Sequence, residues 1–303
     1  MAEPLRRPDV LVLGAGGTLG EAWMRGLLAG AEAADDALDF RECEYFLGTS
    51  AGSIVAAMLA AGRRPEAGAR AERAYADAAE DATEREGEVS TKLLMRLGAL
   101  AAAPLAPLAS ASTAPAGAFA RAAALAAAPR PDRSLAGLGR QLQQLGSRFD
   151  GRLRIAVVDR RSGKRVMFGA PGAPRASVPD AVLASCAVPW IFAPVEIGGR
   201  EYVDGGVWSL TNLDATPAGR GTQVLCLNPT ASLRAPGPLA GLRAFSRSAA
   251  ARESLVLKAR GASVRVIAPD AACAEAMGPN LMSSGPVERV LAAAYAQGRR
   301  LSG

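Results

Sequence analysis

The chain has 303 residues, half of them hydrophobic and few aromatic, so it can bury a large core rich in closely packed, alanine-bearing helices. It contains no histidine, which excludes a Ser-His-Asp triad, a Cys-His dyad, a histidine general base and a histidine-ligated metal. The net charge of +6 rests almost entirely on scattered arginines. With no run of like charge and no aromatic-interleaved basic patch, it reads as a solvated basic surface compatible with phospholipid headgroups and not as a nucleic-acid site.

The first seven residues carry charges but no apolar core of a secretory signal, so a cytoplasmic location is the default expectation. Asp9 to Leu13 is a short apolar strand. It runs into Gly14-Ala15-Gly16-Gly17-Thr18-Leu19-Gly20 and then a helical pattern through Ala22, Trp23, Leu27 and Leu28. A strand, a glycine loop and a helix N-terminus together expose consecutive N–H groups that suit a phosphate or an oxyanion. The loop also begins a dinucleotide fingerprint, with Asp35, Asp36 and Asp39 downstream, but Leu19 occupies the third glycine position.

Phe46-Leu47-Gly48-Thr49-Ser50-Ala51-Gly52-Ser53 is a second strand-to-helix junction, built as Gly-x-Ser-x-Gly. That layout is a nucleophile elbow: the sharp turn exposes the Ser50 hydroxyl, and Gly48 and Gly52 keep a Cβ out of the crowded backbone. A packing turn with the same glycines is the competing reading. Without histidine, a nucleophilic Ser50 must hand its proton to another group.

The helix from Ile54 stops near Gly62 and Pro65, and a charged helical stretch is expected from Glu66 to Glu86. Residues 97–120 are uncharged but broken by Pro104, Pro107 and Pro115. They fall short of the ~20 continuous apolar residues of a membrane span and suggest a lid or a surface helix pair within an insertion at about 90–150. Leu153 to Asp159 and Arg165 to Phe168 read as a strand and its hairpin partner, followed by a helix from Pro179 to Cys186. Val195 to Ile197 and Glu201 to Val203 are short strands around Gly198-Gly199, and the second leads into Asp204-Gly205-Gly206. An aspartate on a double-glycine turn is placed to reach into a crevice, although an Asx turn that only caps the strand has the same sequence. Asp159 and Asp214 are the other carboxylates to weigh as a base. Neither has the glycine turn, and both suit capping or surface roles.

Gln223 to Leu227 and Val264 to Ile267 read as buried strands, and 241–260 and 286–301 as helices. Strand and helix alternate, which predicts one α/β domain with a largely parallel central sheet between helices. Cys43, Cys186, Cys226 and Cys273 are too dispersed for a zinc site or a disulfide framework.

The Ser50 elbow, the glycine loop one βα unit before it, the Asp204-Gly205-Gly206 turn and the absence of histidine together resemble the patatin-like phospholipase family. The matching blocks are Leu11 to Gly20, Phe46 to Ser53, Ser185 to Asn212 and, more loosely, Met277 to Gln297. The resemblance implies a three-layer α/β/α fold and a serine acyl hydrolase working on lipid esters through a Ser-Asp dyad, with no cofactor and no metal. By position, Ser50 is the nucleophile and Asp204 the general base. Gly14, Ala15, Gly16, Gly17 and Thr18, with Ala51, form the oxyanion hole, and Gly48, Gly52, Gly205 and Gly206 shape the turns. Many members carry Arg or Lys where this chain has Leu19. The implied partners are a lipid or small ester substrate and a membrane surface touched peripherally; oligomeric state is not readable. A non-catalytic lipid- or partner-binding relative and a Rossmann-type oxidoreductase remain the alternatives.

Overall fold

The structure is a computed structural model and describes residues 4–66, 114–232 and 240–303. Its centre is an eight-stranded sheet. β1 (Val10–Leu13), β2 (Tyr45–Thr49), β3 (Leu153–Asp159), β7 (Gln223–Leu227) and β8 (Ser263–Ile267) run parallel in the order β3-β2-β1-β7-β8. β1 is apolar and buried along its whole length because helices cover both faces of the sheet there. The sequence pattern predicts β8 to be buried as well. It is instead the edge of the sheet, with only Ile267 buried, because no further strand lies beyond it.

Antiparallel strands finish the other side. β4 (Arg165–Phe168) pairs with β3, and β5 (Val195–Ile197) forms a tight hairpin with β6 (Arg200–Asp204). The two turn residues of that hairpin, Gly198 and Gly199, both have positive φ, as a two-residue turn matched to strand twist requires.

The register on β3 brings the site together. Ile155 and Ala156 pair with β4 on one edge and with β2 on the other, while Val157 and Val158 pair with β4 and with β6. Hence β2 and β6 share one edge of β3. They arrive from opposite directions and stop head to head, Thr49 beside Ala156 and Asp204 beside Val157. Ser50, which follows the tip of β2, and Asp204, the tip of β6, about 150 positions apart in sequence, are thereby brought to the same place.

One face of the sheet carries α1 (Gly17–Ala34), α2 (Ala51–Ala60), α5 (Val178–Cys186), α7 (Ala271–Met277) and α8 (Val287–Ser302) around Leu13, Phe46, Ile155 and Tyr202. Among these, α1 and α8 pack backbone to backbone, since a Cβ at Gly26 would meet the Leu291 carbonyl at 2.6 Å. The other face packs α6 (Ala240–Ala259) through Leu257 onto Val10, Val12 and Leu47, and α3 (Ala114–Ala127) through Leu125 onto Val158 and Val203. Helices therefore lie on both faces, as the alternation of elements predicts.

Residues 67–86 of the expected charged helix, and 90–113 of the expected insertion, lie outside the described residues. The rest of the insertion holds α3 and α4 (Ala136–Leu145), and both bury leucines, Leu125 and Leu142, against the body. Among the described residues, no helix is long and apolar enough to cross a membrane.

Candidate active site

Ser50 sits between the end of β2 and the start of α2 at φ 52, ψ −125, a region L residues avoid. Such a conformation costs on the order of 1–3 kcal/mol and persists only where neighbours over-determine it. Four hydrogen bonds do so here. The Ser50 carbonyl accepts from the Ser53 N–H at 2.8 Å and from the Ser53 hydroxyl at 2.6 Å. The Ser50 N–H donates to Ser185 Oγ at 2.8 Å, and Ser185 Oγ donates in turn to the Ala156 carbonyl at 2.7 Å. Gly48 and Gly52 make room for this turn: a Cβ on Gly52 would run into the Leu13 carbonyl, and one on Gly48 into the backbone of Ser53.

Asp204 ends β6 and faces the elbow. Its carboxylate accepts a hydrogen bond from the Gly206 N–H at 2.6 Å, and the Ser50 hydroxyl lies close enough to favour its charged form. Both partners are nearly sealed, Ser50 7% and Asp204 4% exposed. Burial raises the Asp204 carboxyl to about 7, against the nearby Ser50 hydroxyl and the Gly206 N–H, which favour its charged form. The neighbouring Cys186 thiol is pushed well above its ordinary value, by burial first and by Asp204 second, so it stays neutral.

Asn212 links the two strand tips. Its side-chain amide donates to Thr49 Oγ1 at 3.1 Å, to the Gly205 carbonyl at 3.3 Å and to the Ser209 carbonyl at 2.7 Å, while its oxygen accepts from Arg165 at 3.2 Å. Gly205 itself lies so close to β3 that a Cβ would collide with the Ala156 carbonyl. Ala156 thus touches both halves of the site, through Ser185 and through Gly205.

The glycine loop leans on the same elbow, because the Cβ absent from Gly52 leaves room for the Leu13 and Gly14 carbonyls. The resemblance assigns Gly14 to Thr18 as one oxyanion loop, and the structure divides them. The Gly14 N–H donates to the Leu227 carbonyl at 2.9 Å and the Ala15 N–H to the Leu210 carbonyl at 2.7 Å, so these two amides hold the loop and have no hydrogen left to offer. Among the described residues, the N–H groups of Gly16, Gly17, Thr18 and Ala51 have no acceptor, as the first turn of a helix dictates. Gly17 adopts φ 62, and the Pro229 ring presses on Gly16, where a Cβ would approach it to 2.6 Å. Leu19 is buried in the core, its N–H donating to the Leu281 carbonyl at 3.0 Å, so that position projects no group into the crevice.

The remaining carboxylates are committed elsewhere. Asp159 accepts from the Ser162 N–H at 2.8 Å and the Ser162 hydroxyl at 2.9 Å in the β3–β4 turn. Asp214 is held by both terminal nitrogens of Arg165, at 2.6 and 2.8 Å. Asp35, Asp36 and Asp39 precede β2, whereas the acid of a dinucleotide site follows the second strand. Asp39 caps a short turn and pairs with Arg41, whose hydrogen bond holds its carboxyl below the usual range. Ser185 and Asn212 escape sequence reasoning, since nothing in their local pattern says that they brace a turn far along the chain. No group of three or more potential metal ligands occurs among the described residues.

Compared with known proteins, the chain matches the family model described as patatin-like phospholipase over residues 11–217. No curated protein matches it. Among solved structures, VipD from Legionella pneumophila is similar at 14% identity and a TM-score of 0.48, over 99% of this chain and 67% of that one. The type III effector ExoU is similar at 14% identity and a TM-score of 0.34, over 98% of this chain and 54% of that one, so this chain spans little more than half of its length.

Proposed function

Because the chain belongs to the patatin-like phospholipase family, we propose that it hydrolyses carboxylic esters of lipids through an acyl-enzyme on Ser50, with Asp204 as the general base. The observation that carries this reading is the Ser50 hydroxyl beside a buried carboxylate that, among the described residues, has no cation paired with it. An ordinary aspartate, with a pKa of about 3.9, is a feeble base toward an alcohol. Asp204, raised to about 7, is poised near neutrality, where a general base combines availability with proton affinity.

In the proposed sequence, Ser50 Oγ attacks the ester carbonyl carbon as its proton passes to Asp204. The carbonyl oxygen becomes an oxyanion, received by the free N–H groups of Gly16, Gly17 and Ala51 beside two helix N-termini. Each such donor is worth roughly 3 kcal/mol of barrier. Protonated Asp204 then gives its proton to the leaving alcohol oxygen as the C–O bond breaks. Water, deprotonated by the same carboxylate, attacks the acyl-Ser50 ester; as the bond to Ser50 Oγ breaks, Asp204 returns the proton to Oγ and the fatty acid leaves. Resolution of the acyl-enzyme by a second alcohol would make the same site a transacylase.

The test is covalent labelling with a fluorophosphonate, compared between wild type and Ser50→Ala, followed by p-nitrophenyl esters of increasing acyl length. Labelling confined to wild type, with hydrolysis that peaks at one chain length, is the expected result. A folded wild-type protein that neither labels nor hydrolyses would turn the reading to a lipid-binding relative.

A further inference from the structure

On the face of the sheet opposite α2, α3 brings a buried arginine against Trp208. The Arg121 guanidinium lies 4.0 Å from the centroid of the Trp208 ring, and its Nε donates to the Gly163 carbonyl at 3.0 Å. The helix is fixed there at close range, since a Cβ on Gly163 would collide with the backbone of α3. Trp208 also packs against the cluster of Leu125, Val158, Val203 and Val207.

The electrostatics of this stack are incomplete. Arg121 is 3% exposed, yet among the described residues no carboxylate lies within ion-pairing distance and its two terminal nitrogens have no acceptor. The charge that acts on it is another cation, Arg165, 5.3 Å from the same indole ring; burial and that neighbour both push Arg121 below its ordinary value. Arg165 is no relief, being held by Asp214 and Asn212. A buried charge is costly unless paired. A guanidinium held over a ring and bonded at Nε has both terminal nitrogens left to serve as a fork for two oxygens of one anion.

We propose that the Arg121–Trp208 stack is an anion site that takes a phosphate monoester, the two terminal nitrogens of Arg121 gripping two phosphate oxygens. Arg165, which Asp214 offsets only in part since it still acts on Arg121 as a cation, adds positive potential beside the ring and favours a doubly charged phosphate over a carboxylate. The phosphate belongs either to a soluble monoester such as glycerol 3-phosphate or to phosphatidic acid in a membrane, and the site stands independently of the role given to Ser50.

The test measures binding of the full chain to glycerol 3-phosphate by calorimetry, and its flotation with phosphatidylcholine vesicles with and without phosphatidic acid. Wild type is compared with Arg121→Gln and with Arg289→Gln, an exposed arginine of α8 that controls for net charge. Binding weakened about tenfold or more by Arg121→Gln, with Arg289→Gln near wild type, is the expected result. Loss of soluble binding assigns a free monoester, and loss confined to phosphatidic acid vesicles assigns a lipid. Wild type that binds neither probe, or equal binding by the two variants, overturns the site and leaves the stack as a clasp for α3. Arg121→Lys, which keeps the charge but not the fork, serves if the Gln variant fails to fold, and wild-type affinity in it has the same overturning force. Unchanged fluorophosphonate labelling of the variants keeps this result separate from any failure at Ser50.

Discussion

Asp204 and Asp214 lie ten residues apart, both at 3-10 turns that follow β6, and the turn each occupies gives it a different chemistry. Asp214 meets Arg165 in a two-pronged ion pair, and its charge is consumed in holding the β4 strand to the turn. Asp204 meets a serine hydroxyl and one backbone N–H, with no cation paired to it among the described residues, and burial raises it to about 7. Glu21 makes the contrast instructive, because burial also raises it to about 7, but the charge beside it is Arg25 and, among the described residues, no hydroxyl hydrogen-bonds to it. Burial alone does not make a base. On the proposed mechanism, what distinguishes Asp204 is a raised pKa together with a hydroxyl placed beside it by a strained elbow.

The largest effects are expected where that pairing is removed. Ser50→Ala is expected to lower kcat by about 10^4-fold or more, and Asp204→Asn by about 10^2- to 10^4-fold, each leaving the circular dichroism spectrum unchanged. Full activity in Asp204→Asn would end its role as base. Ser185→Ala strips the partner from the buried Ser50 N–H and Ala156 carbonyl. It is expected to cost about 1–3 kcal/mol in denaturant unfolding and to lower kcat about tenfold with KM little changed. A variant with lower stability and wild-type kcat would show that Ser185 supports the fold and not the nucleophile.

The pH dependence sharpens the comparison further. Asp204 must be ionised to accept the proton, so kcat/KM should rise through about pH 7 and level off above it, and Glu21→Gln should leave that profile in place. A rise centred near pH 4 would contradict the effect of burial. Stability should move the opposite way: the folded-state pKa lies above the unfolded value of about 3.9, so the folded protein holds a proton that the unfolded chain has released. This contribution is complete at the acid end and is lost as pH rises through about 7. Above that pH, Asp204→Asn should therefore melt at a higher temperature than wild type while being inactive. The smallest effect is expected from Asp214→Asn, with activity within about twofold of wild type and a stability loss near 1 kcal/mol, measured by the same assays.

Much of this was legible in the residues. The strand ending at Leu13, the glycine loop, the Gly48 to Gly52 elbow and the Asp204 turn are local patterns in which chain geometry dictates residue type, and the missing histidine left carboxylates as the candidate bases. Tertiary structure decided the rest, because the deciding contacts join residues with no sequence relation. Only the pairing of β2 and β6 on one edge of β3 brings Ser50 to Asp204, and only there do Ser185 and Asn212 acquire a task. The division of the glycine loop into engaged and free amides depended on where the Leu210 and Leu227 carbonyls lie. Sequence sets which groups are available; burial and hydrogen-bond geometry, both products of the whole fold, set which of them are free to react.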